Sequence, residues 1–536
     1  MALRVLSRTL LLGLILFLSA ALFVACSPEA EETETQEKVL RIGLRKLTTI
    51  DPALGANDPE VMFNRLQHDY LIEILPDGTL EPSLATDWEI RDDGLTYTFS
   101  LREGVTFEDG SAFGAEDVVF TFERLVSEGS SIVGLMGQND DESASWSVTA
   151  EDDQTVMFTL EEPNADFLYG VASRFAMILS SESDAVNQFG DGENTYASFN
   201  GTGPFILVEY ATDQVARFVA NPDYWGGAPA LDGIELVFFD DDQSQLDAFR
   251  GGSLDFIIKV PDELTPALEE VTDATVLRRA TNTHPVVRLR ADEGSIGEDV
   301  RIRQAFKFAT DRELLNLDAL DGAGTVANND PIGPTYGELY NPQDNREHDP
   351  EQARELIAAV MADGTGNGYV VDVDGEARVE VAFYVGDTFE YARVAEFLQQ
   401  QWRDANIYVE LNVVPENVYY ADGENNWLNA QLGMTAWGDR PTPQEYLSVA
   451  YTEGAAFNES RWVNAELAQL AAESSRTADI EERSAIYDQI SGVFLESGPI
   501  IIPYFRPVVA AHNNRVVGID LHSFPGRTDF REVDIR

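Results

Sequence analysis

The chain has 536 residues, one cysteine and a formal net charge of −58 at pH 7. That acidity excludes nucleic acid as a partner, because proteins hold phosphates through Lys and Arg, and it disfavours docking on an anionic lipid surface. The lone cysteine excludes an intramolecular disulfide, and five dispersed histidines with no HExxH pair exclude a zinc site of ordinary spacing.

Arg4 and Arg8 precede an apolar run over residues 10–25, which ends at Cys26. The run is too short for a membrane-spanning helix and has the basic start and small-residue end of an export signal. Its end, Phe23-Val24-Ala25-Cys26, resembles a bacterial lipoprotein signal, which implies cleavage after residue 25 and lipidation of Cys26. Residues 26–37 (CSPEAEETETQE) carry no large apolar side chain and read as an acidic flexible tether. No later apolar stretch is long enough to span a bilayer.

The body reads as mixed α and β. Residues 40–44 form a short strand. Residues 88–107 form a hairpin turning at Asp92-Asp93-Gly94, with Leu95, Tyr97, Phe99 and Leu101 alternating after it. A helix follows over 115–125, then strands over 151–160 and 203–210. Thr310 to Glu313 has capping-box spacing, with a hydroxyl and a carboxylate three residues apart. Asp349-Pro350 opens a helix whose stripe is Ala353, Leu356, Ile357 and Val360. Tyr391, Val394, Leu398 and Trp402 mark another helix, followed by a strand over 407–413. A helix over 480–495 leads into an apolar strand at 500–502.

No GxSxG elbow, P-loop or GxGxxG fingerprint is present. Asp240-Asp241-Asp242 lacks calcium-loop spacing and reads as a solvated face. Neither an enzymatic activity nor a metal or other cofactor is expected.

Several segments together resemble the extracellular solute-binding proteins of ABC importers, family 5, which includes peptide, dipeptide and nickel binders. They are LEPSLATDWEI (80–90) continuing to Leu125, GTGPF (201–205), NPDYWGG (221–227), DVRIRQA (299–305) ending in Asp311-Arg312, and residues 482–505. The resemblance implies an α/β, two-lobe, type II periplasmic-binding-protein fold with an extra subdomain and a hinge between the lobes. Lobe I is expected over 38–288 with the subdomain at about 71–202, lobe II over 289–499, and a return to lobe I over 500–536. The implied function is capture of oligopeptides or dipeptides and delivery to an ABC permease with its ATPase subunits. The expected protein is a monomer in the periplasm or on the outer face of the cell membrane. The same scaffold binding a nickel chelate or an oligosaccharide, or serving as a secreted enzyme or sensor, remains the alternative.

The resemblance also implies ligand contacts. A segment after the first strand, about Arg45 to Thr48 and including Lys46 and Leu47, is expected to pair with a peptide backbone. Trp437-Gly438-Asp439-Arg440-Pro441 matches the loop in which an aspartate receives the ligand amine, with Trp437 as an apolar wall. Dipeptide binders commonly place an arginine just before the helix that here begins near Tyr391. This chain has Tyr384-Val385-Gly386-Asp387 there, leaving Arg440 or Arg288 as the candidate for a ligand carboxylate. Tyr384, Tyr419, Tyr420 and Trp427 offer stacking faces for a sugar or pack as ordinary core.

Overall fold

The computed structural model describes residues 37–91, 94–139, 141, 143–182, 200–342, 347–421, 423 and 426–536. The expected export signal, Cys26 and nearly all of the tether lie outside the described residues, as do Asp92 and Asp93 of the expected hairpin turn.

The body, Lys38–Arg536, is built on two large sheets and a smaller one. The seven-stranded sheet runs, edge to edge, Ala274–Ala280, Pro507–Asn513, Phe256–Ile257, Val39–Arg45, Gly233–Phe239, Val215–Ala220 and Phe205–Ala211. Val39–Arg45 lies inside this sheet, parallel to both Gly233–Phe239 and Phe256–Ile257. Central parallel strands are covered on both faces, and Leu40, Ile42 and Leu44 are accordingly buried. In the six-stranded sheet Glu376–Gly386 pairs with Val370–Val373, Ile407–Val414 and Leu432–Trp437. Beyond Leu432–Trp437 come His284–Leu289 and Ile500–Ile501. An antiparallel four-stranded sheet carries Ala85–Ile90, Thr96–Leu101, Thr155–Leu160 and Trp146–Asp152, with its own aromatic core around Phe99, Phe122, Phe158 and Phe167.

The chain leaves the seven-stranded sheet after Ala280 and enters the six-stranded sheet at His284. It returns between Ile501 and Pro507. These passages lie several residues from the expected boundaries at 288–289 and 499–500, because His284–Leu289 and Ile500–Ile501 pair with each other as strands of one sheet.

Two local expectations are corrected. Residues 151–160 are not one strand: Trp146–Asp152 and Thr155–Leu160 form a hairpin, with Asp152 accepting from the Gln154 N–H at its turn. The cap at 310–313 belongs to Asp311, whose carboxylate accepts from the Leu314 N–H at 2.9 Å. Thr310 is instead buried, donating to the Phe306 carbonyl and accepting from Trp402 Nε1 at 2.9 Å. An aspartate one residue inward serves the free N–H groups and suits the positive end of the helix dipole. Asp349 caps Pro350–Asp363 as expected, and Ala353, Ile357 and Val360 form its buried stripe.

Candidate functional site

The strand Leu432–Trp437 ends at the edge of a cavity of about 1060 Å³, at the upper end of the range for small-ligand sites. Three parts of the molecule line it. The four-stranded-sheet region contributes Leu135, Met136, Arg174 and Phe175, the six-stranded-sheet region Tyr336, Asp439, Arg440, Glu445 and Phe457, and the C-terminal return His522, Phe524 and Arg527.

The loop bearing Asp439 is held rigidly. Tyr446 Oη donates to the Gly438 carbonyl at 2.7 Å and Tyr336 Oη to the Arg440 carbonyl at 3.0 Å. Asp439 Oδ1 accepts from the Asn282 backbone N–H at 3.0 Å, and Asn282 lies in the segment that passes between the two large sheets. The aspartate is thereby oriented by the crossover itself. Burial pushes its carboxyl up to about 6, against the Asn282 N–H and the positive charges of Arg174 and Arg440. Among the described residues no cation lies within ion-pairing distance of Asp439.

Most other charges at the cavity are satisfied within the protein. Arg440 Nε lies 3.4 Å from Glu445 Oε1. Asp166 is paired with Arg483 at 2.5 Å and accepts from Thr442 Oγ1 at 3.0 Å. Arg527 donates to the Ala172 carbonyl at 2.8 Å and lies 3.4 Å from Glu73. His522 reaches the Ile74 carbonyl through Nε2 at 3.1 Å and accepts the Phe524 N–H on Nδ1. Burial, reinforced by Arg527, lowers this histidine to about 3, so it is neutral.

Of the residues expected at the site, Asp439 and Arg440 line the cavity. Trp437, Gly438, Lys46, Leu47 and Tyr384 do not. Trp437 stands one layer behind: it packs on Phe457 and Tyr446 and donates Nε1 to Glu459 at 3.2 Å. Lys46 is drawn to Asp240 at 2.7 Å, and its N–H donates to the Phe239 carbonyl. Leu47 is in the core of the seven-stranded sheet. The Thr48 N–H donates to Glu60 Oε1 at 2.8 Å. Tyr384 lies in the sheet, in register with Gly433 and Asn412.

Arg288 is not available to a ligand. It is buried, 3.2 Å from Glu459, and donates to the carbonyls of Ala430 (2.6 Å) and Trp427. Tyr419 is buried, and Trp427 packs on Tyr420 and Phe457. Neither lines the cavity. Sequence reasoning missed Arg174, Glu445 and Asp166. Arg174 carried a signal, being the one charged residue in the apolar run FLYGVASRFAMIL (167–179).

Among the described residues no group of three or more His, Cys, Asp or Glu side chains is arranged to hold a metal ion, and no helix is long and apolar enough to cross a membrane.

The model of the bacterial extracellular solute-binding proteins, family 5 (middle), matches residues 79–458. Heme-binding protein A of Haemophilus influenzae is 29% identical over 469 residues, 81% of this chain and 80% of its own. The dipeptide-binding protein of Escherichia coli is 28% identical over 482 residues, 85% of this chain and 87% of its own. The structure of the ABC transporter substrate-binding protein CtaP from Listeria monocytogenes shares the fold, with a TM-score of 0.78 at 22% identity over 93% of this chain and 99% of that one. With the family model matching well over half of the chain and the fold shared over 93% of it, the chain belongs to the bacterial extracellular solute-binding proteins of family 5 and has their two-lobe fold.

Proposed function

We propose that this chain captures peptides in the cavity beside Asp439 and delivers them to the permease and ATPase subunits of an ABC importer. The observation that carries the reading is a rigidly held carboxylate lining a large cavity with no cation of its own. A peptide amine supplies the missing charge, and a charge-assisted hydrogen bond of this kind is roughly twice as strong as a neutral one. The dipeptide-binding relative supports this reading. The protein acts as a binding protein, without turnover of its solute. It works as a monomer outside the cytoplasmic membrane, tethered by a lipid on Cys26 and the acidic segment that follows.

The test is retention. Purified protein is incubated with a mixed peptide digest, passed through gel filtration, denatured and examined by mass spectrometry. Peptides co-eluting with the protein are the expected result. Their absence, or retention of haem or a nickel chelate in their place, would overturn it.

A further inference from the structure

Arg174 is the odd charge of the cavity. Its guanidinium lies between two rings, with its central carbon 5.2 Å from the centroid of Phe175 and 4.7 Å from that of Phe524. Ring faces attract the cation but accept little from in-plane N–H donors. Its Nε is buried without a hydrogen-bond partner, and among the described residues no carboxylate lies within ion-pairing distance. The Nε atoms of Arg440 and Arg527 also lack a hydrogen-bond partner, but these arginines have carboxylates beside them: Arg440 has Glu445, Arg527 has Glu73 together with the Ala172 carbonyl, and Arg476 on the rim has Glu162 at 3.0 Å. A guanidinium keeps its charge in such a half-buried position, and one without an ion pair gains from an anion that enters the cavity.

Among the described residues lining the cavity, Arg174 is a cation with no carboxylate in ion-pairing distance and Asp439 a half-buried carboxylate with no cation in ion-pairing distance. The two act on each other only at longer range. The first comes from the four-stranded-sheet region, the second from the loop after Leu432–Trp437. We propose that Arg174 is a specificity-determining residue that receives a ligand carboxylate, so that the solute is a zwitterion with its amine on Asp439 and its carboxylate on Arg174. This rests on the peptide reading above and narrows it to peptides with a free C-terminal carboxylate. The planar fork of the guanidinium suits bidentate carboxylate binding.

Calorimetry with alanine peptides of two to five residues, each as the free acid and as the C-terminal amide, tests it. The wild type should bind free acid of at least one length, and the matching amide about ten- to a hundred-fold more weakly. R174Q should weaken the free acid by a similar factor and leave the amide within about twofold, the cycle isolating the Arg174–carboxylate pair. R174K, which keeps the charge without the fork, should fall between, and melting curves of both variants check that they fold. Equal affinity of acid and amide for the wild type, or equal weakening of both by R174Q, would overturn the proposal and leave the peptide reading standing. Failure of every free-acid peptide to bind the wild type would overturn both.

Discussion

Arg483 Nη2 lies 2.5 Å from Asp166 Oδ1, with side chains 4% and 1% exposed. The pair joins the helix Ile480–Ser497 to the segment following the four-stranded sheet. Around it the Ala165 N–H donates to the Ser475 carbonyl at 2.8 Å, and Thr442 Oγ1 donates to the other oxygen of Asp166. These contacts close one side of the cavity, because Asp166 is also one of its walls.

Asp166→Asn should therefore favour an open arrangement of the lobes. A binding-competent state that is populated less lowers the apparent affinity by the same fraction. The expected result is a larger radius of gyration for the ligand-free protein in solution X-ray scattering and about tenfold weaker peptide binding. An unchanged radius together with unchanged affinity would show that the pair does not govern closure.

Peptide affinity should depend on pH through Asp439. Its carboxyl titrates at about 6, and only the ionised form attracts an amine. Affinity should be full above that value and fall by up to about tenfold per unit below it. Titration calorimetry from pH 5 to 8 should show this fall in the wild type. In Asp439→Asn it should show weaker binding with a flatter profile.

Asp330 provides a separate stability test. It is buried, accepts the Ile332 N–H at 3.0 Å, and is pushed by burial from 3.8 up to about 7. As pH rises from about 4 to 7, the unfolded chain releases this proton while the fold retains it. Stability from this group is thus present at low pH and lost as pH rises, by at most about 1.4 kcal/mol per unit. Asp330→Asn cannot titrate, so it should gain on the wild type by about 2–4 kcal/mol between pH 4.5 and 7.5 in urea unfolding.

Trp437 and Glu459 should matter to the fold more than to the ligand. Glu459 accepts from Arg288, Thr435 (2.9 Å) and Trp437. Glu459→Ala strands a buried arginine and should cost about 3–5 kcal/mol. Trp437→Phe loses one hydrogen bond and should cost about 1–2 kcal/mol while leaving peptide affinity within about threefold. A large loss of affinity in Trp437→Phe would put the indole in contact with the solute.

Much of the architecture was legible because it depends on near neighbours in the chain. The stripe of Ala353, Ile357 and Val360, the alternation over 95–101 and the Asp349 cap all express local geometry. The WGDRP motif was equally legible: three of its residues, Asp439, Arg440 and Pro441, line the cavity. The cap near 310 was misplaced by one residue because Thr310 is claimed by Trp402, ninety-two positions away. Residues 151–160 were read as one strand because the turn at Asp152 to Gln154 interrupts a pattern that is apolar only afterwards.

By itself the sequence determined the acidic body, several of its strands and helices, the family resemblance and the loop that bears Asp439. Tertiary structure alone decided which charges are neutralised by a neighbouring side chain and which stand without an ion pair at the cavity. Arg288 and Arg174 look alike as letters in a chain, yet one is enclosed by Glu459 and two carbonyls while the other lies between two rings with, among the described residues, no carboxylate in ion-pairing distance. The physical reason is that ion pairing acts over a few ångströms in space, between residues separated by hundreds of positions along the backbone.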